Sequence, residues 1–83
     1  MASFEYADTF ALVTDLVSKK LNAEQTTITR ESTLQDLGAD SLDTFEIILK
    51  LQDRFGVEIE DSAADSFSNV GQIAEYIHSK RTK

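Results

Sequence analysis

The chain has 83 residues, a hydrophobic content of 41% and no cysteine. This length suits one domain with a small core, so we expect residues 1–83 to form a single domain rather than a disordered chain. Cysteine-based disulfides, thiolate zinc sites and cysteine nucleophiles are excluded. No run reaches the roughly 20 apolar residues that span a bilayer, and the first residues do not resemble a secretory signal. These features favour a cytoplasmic or organelle-matrix protein without membrane insertion.

Negative charge is concentrated in one part of the chain. The sequence has 15 acidic and 8 basic residues, a formal net charge of −7. Between Asp36 and Asp61 eight carboxylates face only two bases, Lys50 and Arg54, so six of the seven net negative charges lie there. Such a field repels nucleic acid and attracts basic protein surfaces. The alternative is an acidic face that only keeps the protein soluble.

The first half of the chain predicts one helix and a long loop. Apolar residues at helical spacing predict a helix over residues 4–20 that ends near Asn22. Residues 23–40 are rich in threonine and charge and predict a loop. Ser32 and Gln35 have the spacing of a capping box, which would support a single helical turn within this loop.

The second half predicts three helical segments. A helix is expected over Ser41–Phe55, capped by Asp40 and ended by Gly56. Residues 57–59 predict an extended connector, and residues 61–66 a short helical turn. Asn69 starts a last helix, which Gly71 weakens slightly and whose end the nearby basic residues favour. One apolar stripe is predicted on this helix: Val70, Ile73, Ala74 and Ile77. The fold class is therefore all-α: a small helical bundle with three main helices, a long loop and a short minor helix.

The second helix has an unusually wide apolar surface. One stripe faces the core, and a neighbouring stripe consists of Leu42, Phe45 and Leu49. This second stripe either packs under the long loop or stays exposed as a contact for a partner. We expect Phe45 to lie inside and Leu42 and Leu49 to lie outside.

Ser41 stands where the loop becomes this helix, within the run Leu37-Gly38-Ala39-Asp40-Ser41-Leu42. A serine hydrolase would need a base beside its nucleophile, and the only histidine, His78, is expected on the surface far from this motif. The nearby aspartates do not match a calcium-binding loop, so no metal site is predicted. A serine of this kind suits modification by another enzyme better than catalysis.

The motif, the acidic helix after it and the size of the domain resemble the acyl carrier protein family. In that family the matching serine, here Ser41, carries 4′-phosphopantetheine, which holds acyl groups as thioesters. The resemblance implies a monomeric carrier, not an enzyme, that serves fatty acid biosynthesis or a related polyketide or specialised lipid pathway. It also implies a phosphopantetheinyl transferase, and acyl-loading, elongating and offloading enzymes with basic surfaces, as partners.

The resemblance also implies two sets of contact residues. By resemblance, the surface for partner enzymes comprises Asp36, Asp40, Leu42, Asp43, Glu46, Leu49, Glu60 and Asp61. The acyl chain would be lined by Phe45, Ile48, Ile59 and Ala64. Asp40 would also help to place the magnesium ion used by the transferase.

Four residues depart from the usual family pattern and leave the pathway open: Phe45, Lys50, Arg54 and Glu60. Phe45 is bulkier than the usual aliphatic residue, and Lys50 and Arg54 bring positive charge to a face that is commonly small or acidic. Ala39-Asp40 argues mildly against a carrier of amino acids. The alternative from another class is a small acidic helical interaction module without a prosthetic group.

Overall fold

The computed structural model describes residues 4–82 and forms four α-helices in chain order, without a strand among these residues. They are α1 (Tyr6–Leu21), α2 (Ser41–Phe55), α3 (Asp61–Ser66) and α4 (Val70–Lys80), with a 3-10 turn at Gln25–Thr27. The predicted all-α bundle with a long loop and a minor helix is confirmed. Residues 1–3 and 83 lie outside the described range, and the single domain over residues 1–83 stays a prediction.

Helix α1 begins two residues later than predicted. The carbonyl of Glu5 accepts the first backbone bonds, from the amides of Asp8 and Thr9, both at 3.1 Å. Phe4 precedes the helix, and its ring packs against the guanidinium of Arg81, which lies 3.8 Å from the ring centroid. At the other end Asn22 adopts a left-handed conformation with φ 55°, which ends the helix.

After the 3-10 turn, the long loop forms a helical turn that ends at Gly38. The cap of this helical turn differs from the predicted one. The Asp36 amide donates to Thr33 Oγ1 at 3.0 Å, whereas Ser32 Oγ accepts from the Thr29 amide at 2.9 Å. The predicted capping box at Ser32 is therefore wrong by one residue. Gly38 has φ 94°, and the Ala39 amide closes the turn on the Leu34 carbonyl at 2.9 Å. A left-handed backbone conformation at this position strongly favours glycine, which has no Cβ.

Helix α1 packs against both α2 and α4 around a core that contains the predicted stripes. Ile47, Leu51 and Phe55 are fully buried on α2, and α4 buries the apolar stripe that the sequence predicted for it. The prediction that Phe45 lies inside is wrong, because its side chain is 56% exposed. At 3.6 residues per turn, Phe45 lies about 100° around the helix from the centre of the buried stripe.

The connector between α2 and α3 is extended, as predicted, and a side chain of α2 holds it. Gln52 Oε1 accepts from the Ile59 amide at 2.9 Å, and Val57 and Ile59 are both buried. The amides of Gly56 and Val57 both reach the Gln52 carbonyl. Gln52 therefore sets the direction of the backbone after the end of α2.

Helix α4 begins against the long loop. Asn69 Oδ1 accepts from the Gln72 amide at 2.9 Å, which confirms the predicted cap. The amides of Val70 and Gly71 donate to the carbonyls of Ser32 and Arg30, at 2.8 and 2.9 Å. The loop thus satisfies amides that a helix start would leave unpaired. It passes so close that a Cβ on Gly71 would lie 3.0 Å from the Arg30 carbonyl oxygen.

We expect Gly71→Ala to destabilise the protein by about 1 kcal/mol, since the added methyl would push the loop away from α4. Alanine normally stabilises a helix by a similar amount relative to glycine, so the sign of the effect is diagnostic. Urea unfolding followed by circular dichroism measures it. A more stable variant would show that the loop yields without cost.

The C-terminal end of α4 is tied to α1 through the buried hydroxyl of Thr9. His78 Nδ1 lies 2.9 Å from Thr9 Oγ1, and Arg81 donates to the same oxygen at 2.9 Å. The Tyr6 ring meets the His78 ring edge-on, with 5.6 Å between centroids. The expectation that His78 is a surface residue is therefore wrong: it is partly buried and joins two helices.

Candidate functional site

Ser41 is the first residue of α2, and two aspartates fix this helix start. Asp40 Oδ1 accepts from the Asp43 amide at 2.8 Å, and the Asp40 amide donates to Asp43 Oδ2 at 3.3 Å. This reciprocal capping box confirms Asp40 as the predicted cap. It leaves Ser41 exposed at the N-terminus of α2.

The backbone around Ser41 suits a phosphate ester. Within residues 4–82 the capping box bonds the third amide of α2, whereas the amides of Ser41 and Leu42 have no side-chain cap. Free amides and the positive end of the helix dipole stabilise a phosphate at this position. The turn that ends at Gly38 leads the chain into the helix without covering the serine, so these residues fit a phosphodiester-linked group.

Nothing next to Ser41 could activate it as a nucleophile. His78 is engaged with Thr9 at the contact between α1 and α4, and Asp40 and Asp43 bond each other's backbone amides. In the part of the chain that the structure describes, no group of three or more histidine and carboxylate side chains could hold a metal ion. The geometry therefore favours a serine that is modified rather than one that attacks a substrate.

An open groove of about 520 Å³ runs from Ser41 between α2 and α3. It brings together all four residues expected to line an acyl chain: Phe45, Ile48, Ile59 and Ala64. Ile48 and Ile59 form the buried floor, each 7% exposed, and Phe45 stands at the rim.

Further residues that were not predicted from the sequence line the same groove, among them Thr44, Gln52 and Asp65. Thr44 and Gln52 could have been found from their helical spacing to Ser41 and Ile48. Asp65 could not, because its place depends on how α3 is positioned.

The residues expected to contact partners do not all lie on one surface. Leu42 and Leu49 are exposed, as predicted, at 64% and 47%. Asp61 lines the groove beside Ser41, and Asp36 and Asp40 are exposed just before α2.

Two other acidic residues of that set face elsewhere. Glu46 turns towards α1 and pairs with Lys20, and this hydrogen bond raises the pKa of Lys20. Glu60 lines a separate groove with Tyr76 and Lys80.

Comparison with known proteins decides the family. The sequence model of the family described as "Phosphopantetheine attachment site" matches residues 11–77. An acyl carrier protein from Thermotoga maritima is 38% identical over 81 residues, which covers 96% of this chain and 98% of that protein. The chain belongs to the acyl carrier protein family.

Further relatives and solved structures agree with this assignment. An acyl carrier protein from Helicobacter pylori strain G27 is 40% identical over 67 residues, 80% of this chain and 86% of that one. The structure of an acyl carrier protein from Enterococcus faecalis matches with a TM-score of 0.79 and 31% identity, over 93% of this chain and 99% of that chain. A free-standing peptidyl carrier protein from Acinetobacter baumannii matches with a TM-score of 0.76 and 25% identity, over 90% and 94%.

Membership of this family confirms three of the expectations. The prosthetic group is 4′-phosphopantetheine, the role is that of an acyl carrier, and members of the family are carriers rather than enzymes. Among residues 4–82, no helix has both the length and the apolar character that crossing a membrane requires.

Proposed function

We propose that Ser41 carries the 4′-phosphopantetheine group and that the protein delivers acyl intermediates to the enzymes of fatty acid biosynthesis. The observation that supports this most strongly is the exposed Ser41 hydroxyl at the start of α2, beside free amides and an open groove. When bound, the group supplies a thiol on which acyl chains are held as thioesters. The residues of this chain anchor and orient the prosthetic group, and they shelter the acyl chain.

The chain anchors the group through the start of α2. The capping box of Asp40 and Asp43 holds the first turn of α2, so the amides of Ser41 and Leu42 would be available to bond a phosphodiester on Ser41. Both carboxylates bond backbone amides, which keeps these negative groups turned to the helix rather than to the phosphate.

The groove between α2 and α3 shelters an acyl chain in this proposal. Its buried floor of Ile48 and Ile59 offers apolar contact, and the exposed ring of Phe45 adds apolar surface at the rim. Because the groove is open rather than enclosed, a chain can enter and leave without unfolding the bundle.

The proposal of fatty acid biosynthesis rests on the names of the relatives and on the two residues before Ser41. The relatives at 38% and 40% identity are acyl carrier proteins, whereas the peptidyl carrier protein is 25% identical. Ala39-Asp40 before the serine also argues against a carrier of amino acids. A polyketide or specialised lipid pathway is the second candidate, because Phe45, Lys50 and Arg54 depart from the usual family pattern.

Partner enzymes with basic surfaces dock, in this proposal, on the outer side of α2. Exposed Leu42 and Leu49 supply apolar contact, and Asp36, Asp40 and Asp61 surround them with negative charge. We propose that the protein acts as a cytoplasmic monomer, which leaves Ser41 and this surface open. Electrostatic attraction of this kind weakens as salt rises.

We expect Leu42→Glu to reduce turnover by partner enzymes about tenfold or more while the fold stays intact, since Leu42 is 64% exposed. A glutamate in the first turn of α2 also suits the helix dipole, so the melting temperature should not fall. Transfer rates of the loaded carrier measure the effect. Ala11→Glu, an exposed position on α1, is the matched control and should transfer normally. A cooperative unfolding transition that is lost in Leu42→Glu would instead place Leu42 in the core.

Incubation with a phosphopantetheinyl transferase, coenzyme A and magnesium tests the carrier function itself. Intact-mass spectrometry should show the gain of one phosphopantetheine per chain. A chain that keeps its mass with a transferase that modifies another carrier in the same tube would be an interaction module without a prosthetic group.

A further inference from the structure

Half of the basic residues of this acidic protein line one groove. The sequence has eight lysines and arginines, and four of them, Lys19, Lys20, Lys50 and Arg54, surround the groove between α1 and α2. Leu12 and Leu16 of α1 are only partly buried and form its apolar lining. With Asp15 and Glu46 counted, the groove carries a net positive charge in a protein of net charge −7.

Two of these cations form salt bridges and two do not. Lys19 pairs with Asp15 at 3.1 Å, and Lys20 pairs with Glu46. Lys50 and Arg54 are exposed and form no salt bridge with any of residues 4–82. The guanidinium of Arg54 also lies 5.5 Å from the centroid of the Phe55 ring, a contact that leaves its charge available to a carboxylate.

The groove lies on the opposite flank of α2 from Ser41. At 3.6 residues per turn, Glu46, Lys50 and Arg54 point about 180° away from the residues that line the Ser41 groove. A molecule bound between α1 and α2 would leave Ser41 and its groove uncovered.

The dimensions of the groove suit a helix. Its lining residues span nine positions, or eight helical steps, on each helix: from Leu12 to Lys20 on α1 and from Glu46 to Arg54 on α2. At a rise of 1.5 Å per residue this is about 12 Å, or two helical turns. Its volume is about 580 Å³. An amphipathic helix lays its apolar face into grooves of this kind and places its polar residues at the rim.

We propose that the groove between α1 and α2 docks an acidic amphipathic helix of a partner protein. Apolar side chains of that helix would contact Leu12 and Leu16, and its carboxylates would pair with Lys50 and Arg54. An extended polyanion such as a nucleic acid or an anionic membrane would be repelled by the net charge of −7 that the whole protein carries. A short acidic segment meets only the basic flank.

This second docking surface gives the protein a function besides delivery of acyl groups. Enzymes with basic surfaces would bind the Ser41 flank of α2, while an acidic partner would bind the groove between α1 and α2. The two surfaces have opposite charge, so neither class of partner competes for the other site. The inference does not depend on what Ser41 carries.

Binding of a defined peptide to the full chain tests the proposal. The probe is a capped helical peptide with leucines on one face and glutamates on the other, and the control peptide has glutamines in their place. We expect the glutamate peptide to bind, to shift the amide resonances of Leu12, Leu16 and Lys50, and to leave those of Leu42 and Phe45 unmoved. The glutamine peptide should bind about tenfold more weakly or worse.

Paired charge reversals assign the binding to the groove. The double variant Lys50→Glu with Arg54→Glu should weaken binding of the glutamate peptide about tenfold or more. Arg30→Glu with Lys80→Glu changes the net charge equally at exposed positions outside the groove and should bind normally. Melting curves establish that both variants fold, and the resonance shifts of the unmodified chain provide a readout that needs no variant.

Four results would overturn the proposal. These are no binding of the glutamate peptide, equal binding of the two peptides, equal loss in both double variants, or resonance shifts centred on Leu42. Binding to vesicles that contain phosphatidylserine, without binding to the peptide, would show that the basic flank contacts membranes instead.

Discussion

Replacement of Ser41 by alanine should abolish modification completely. Incubated with a phosphopantetheinyl transferase, coenzyme A and magnesium, the Ser41→Ala variant should keep its mass, while the unchanged chain gains one phosphopantetheine. The reason is chemical, because the variant has no hydroxyl oxygen at the start of α2 to form the phosphodiester. Intact-mass spectrometry separates the two outcomes.

A second serine provides the matched control. Ser62 is also exposed and lies in the first turn of α3, but α3 has only six residues and no side-chain cap. Ser62→Ala should therefore gain the full mass. Since alanine is well tolerated in helices, Ser41→Ala should also melt like the unchanged chain. A mass gain in Ser41→Ala, or its loss in Ser62→Ala, would move the attachment site elsewhere.

Replacement of Phe55 by alanine should have the largest effect on stability. Phe55 is fully buried and is the largest such side chain in the core of residues 4–82. Its truncation should cost about 3–5 kcal/mol, through lost burial and the cavity left behind. A domain of this size has a total stability of roughly 4–12 kcal/mol, so the melting temperature should fall by about 15 °C or more.

The matched control is the other phenylalanine of α2. Phe45 is 56% exposed, so Phe45→Ala should change the unfolding free energy by less than about 1 kcal/mol. Urea unfolding of the two variants measures the difference. Equal losses would mean that Phe45 is buried in solution, as the sequence alone suggested.

Much of the fold could be predicted because the signals are local. The cap at Asp40 and the glycine at position 56 lie next to the elements that they start and stop, so both ends of α2 follow from a few neighbouring residues. The buried stripe of α4 follows from helical spacing alone. Local signals of this kind do not depend on how the helices pack.

The errors concern contacts between distant parts of the chain. The helical spacing of Phe45 fits both a buried and an exposed side chain, and the flank of α2 that carries it stays uncovered in the structure. His78 was placed on the surface because nothing near it in the sequence predicts Thr9 as its partner. Gly71 reads as a slight defect in a helix, whereas the structure shows a loop carbonyl where a methyl would stand.

In the candidate site, too, local features were predicted and contacts between distant residues were not. The run from Leu37 to Leu42 predicted Ser41 and its setting, and the family resemblance supplied the residues of one groove. Glu46 was assigned to the outer surface, yet it pairs with Lys20 because α1 lies against that flank of α2. The basic groove between these helices depends on the same packing, and the spacing of Lys50 and Arg54 alone does not predict it.

Peptide mapping of the protein purified from its own cells tests the central claim most directly. After protease digestion, tandem mass spectrometry should find phosphopantetheine, free or acylated, on the peptide that contains Ser41 and on no other. The mass of any attached acyl group would also identify the pathway. A protein that is fully unmodified in cells with active carriers, or modified at another residue, would contradict the assignment of Ser41 as the anchor of the carrier arm.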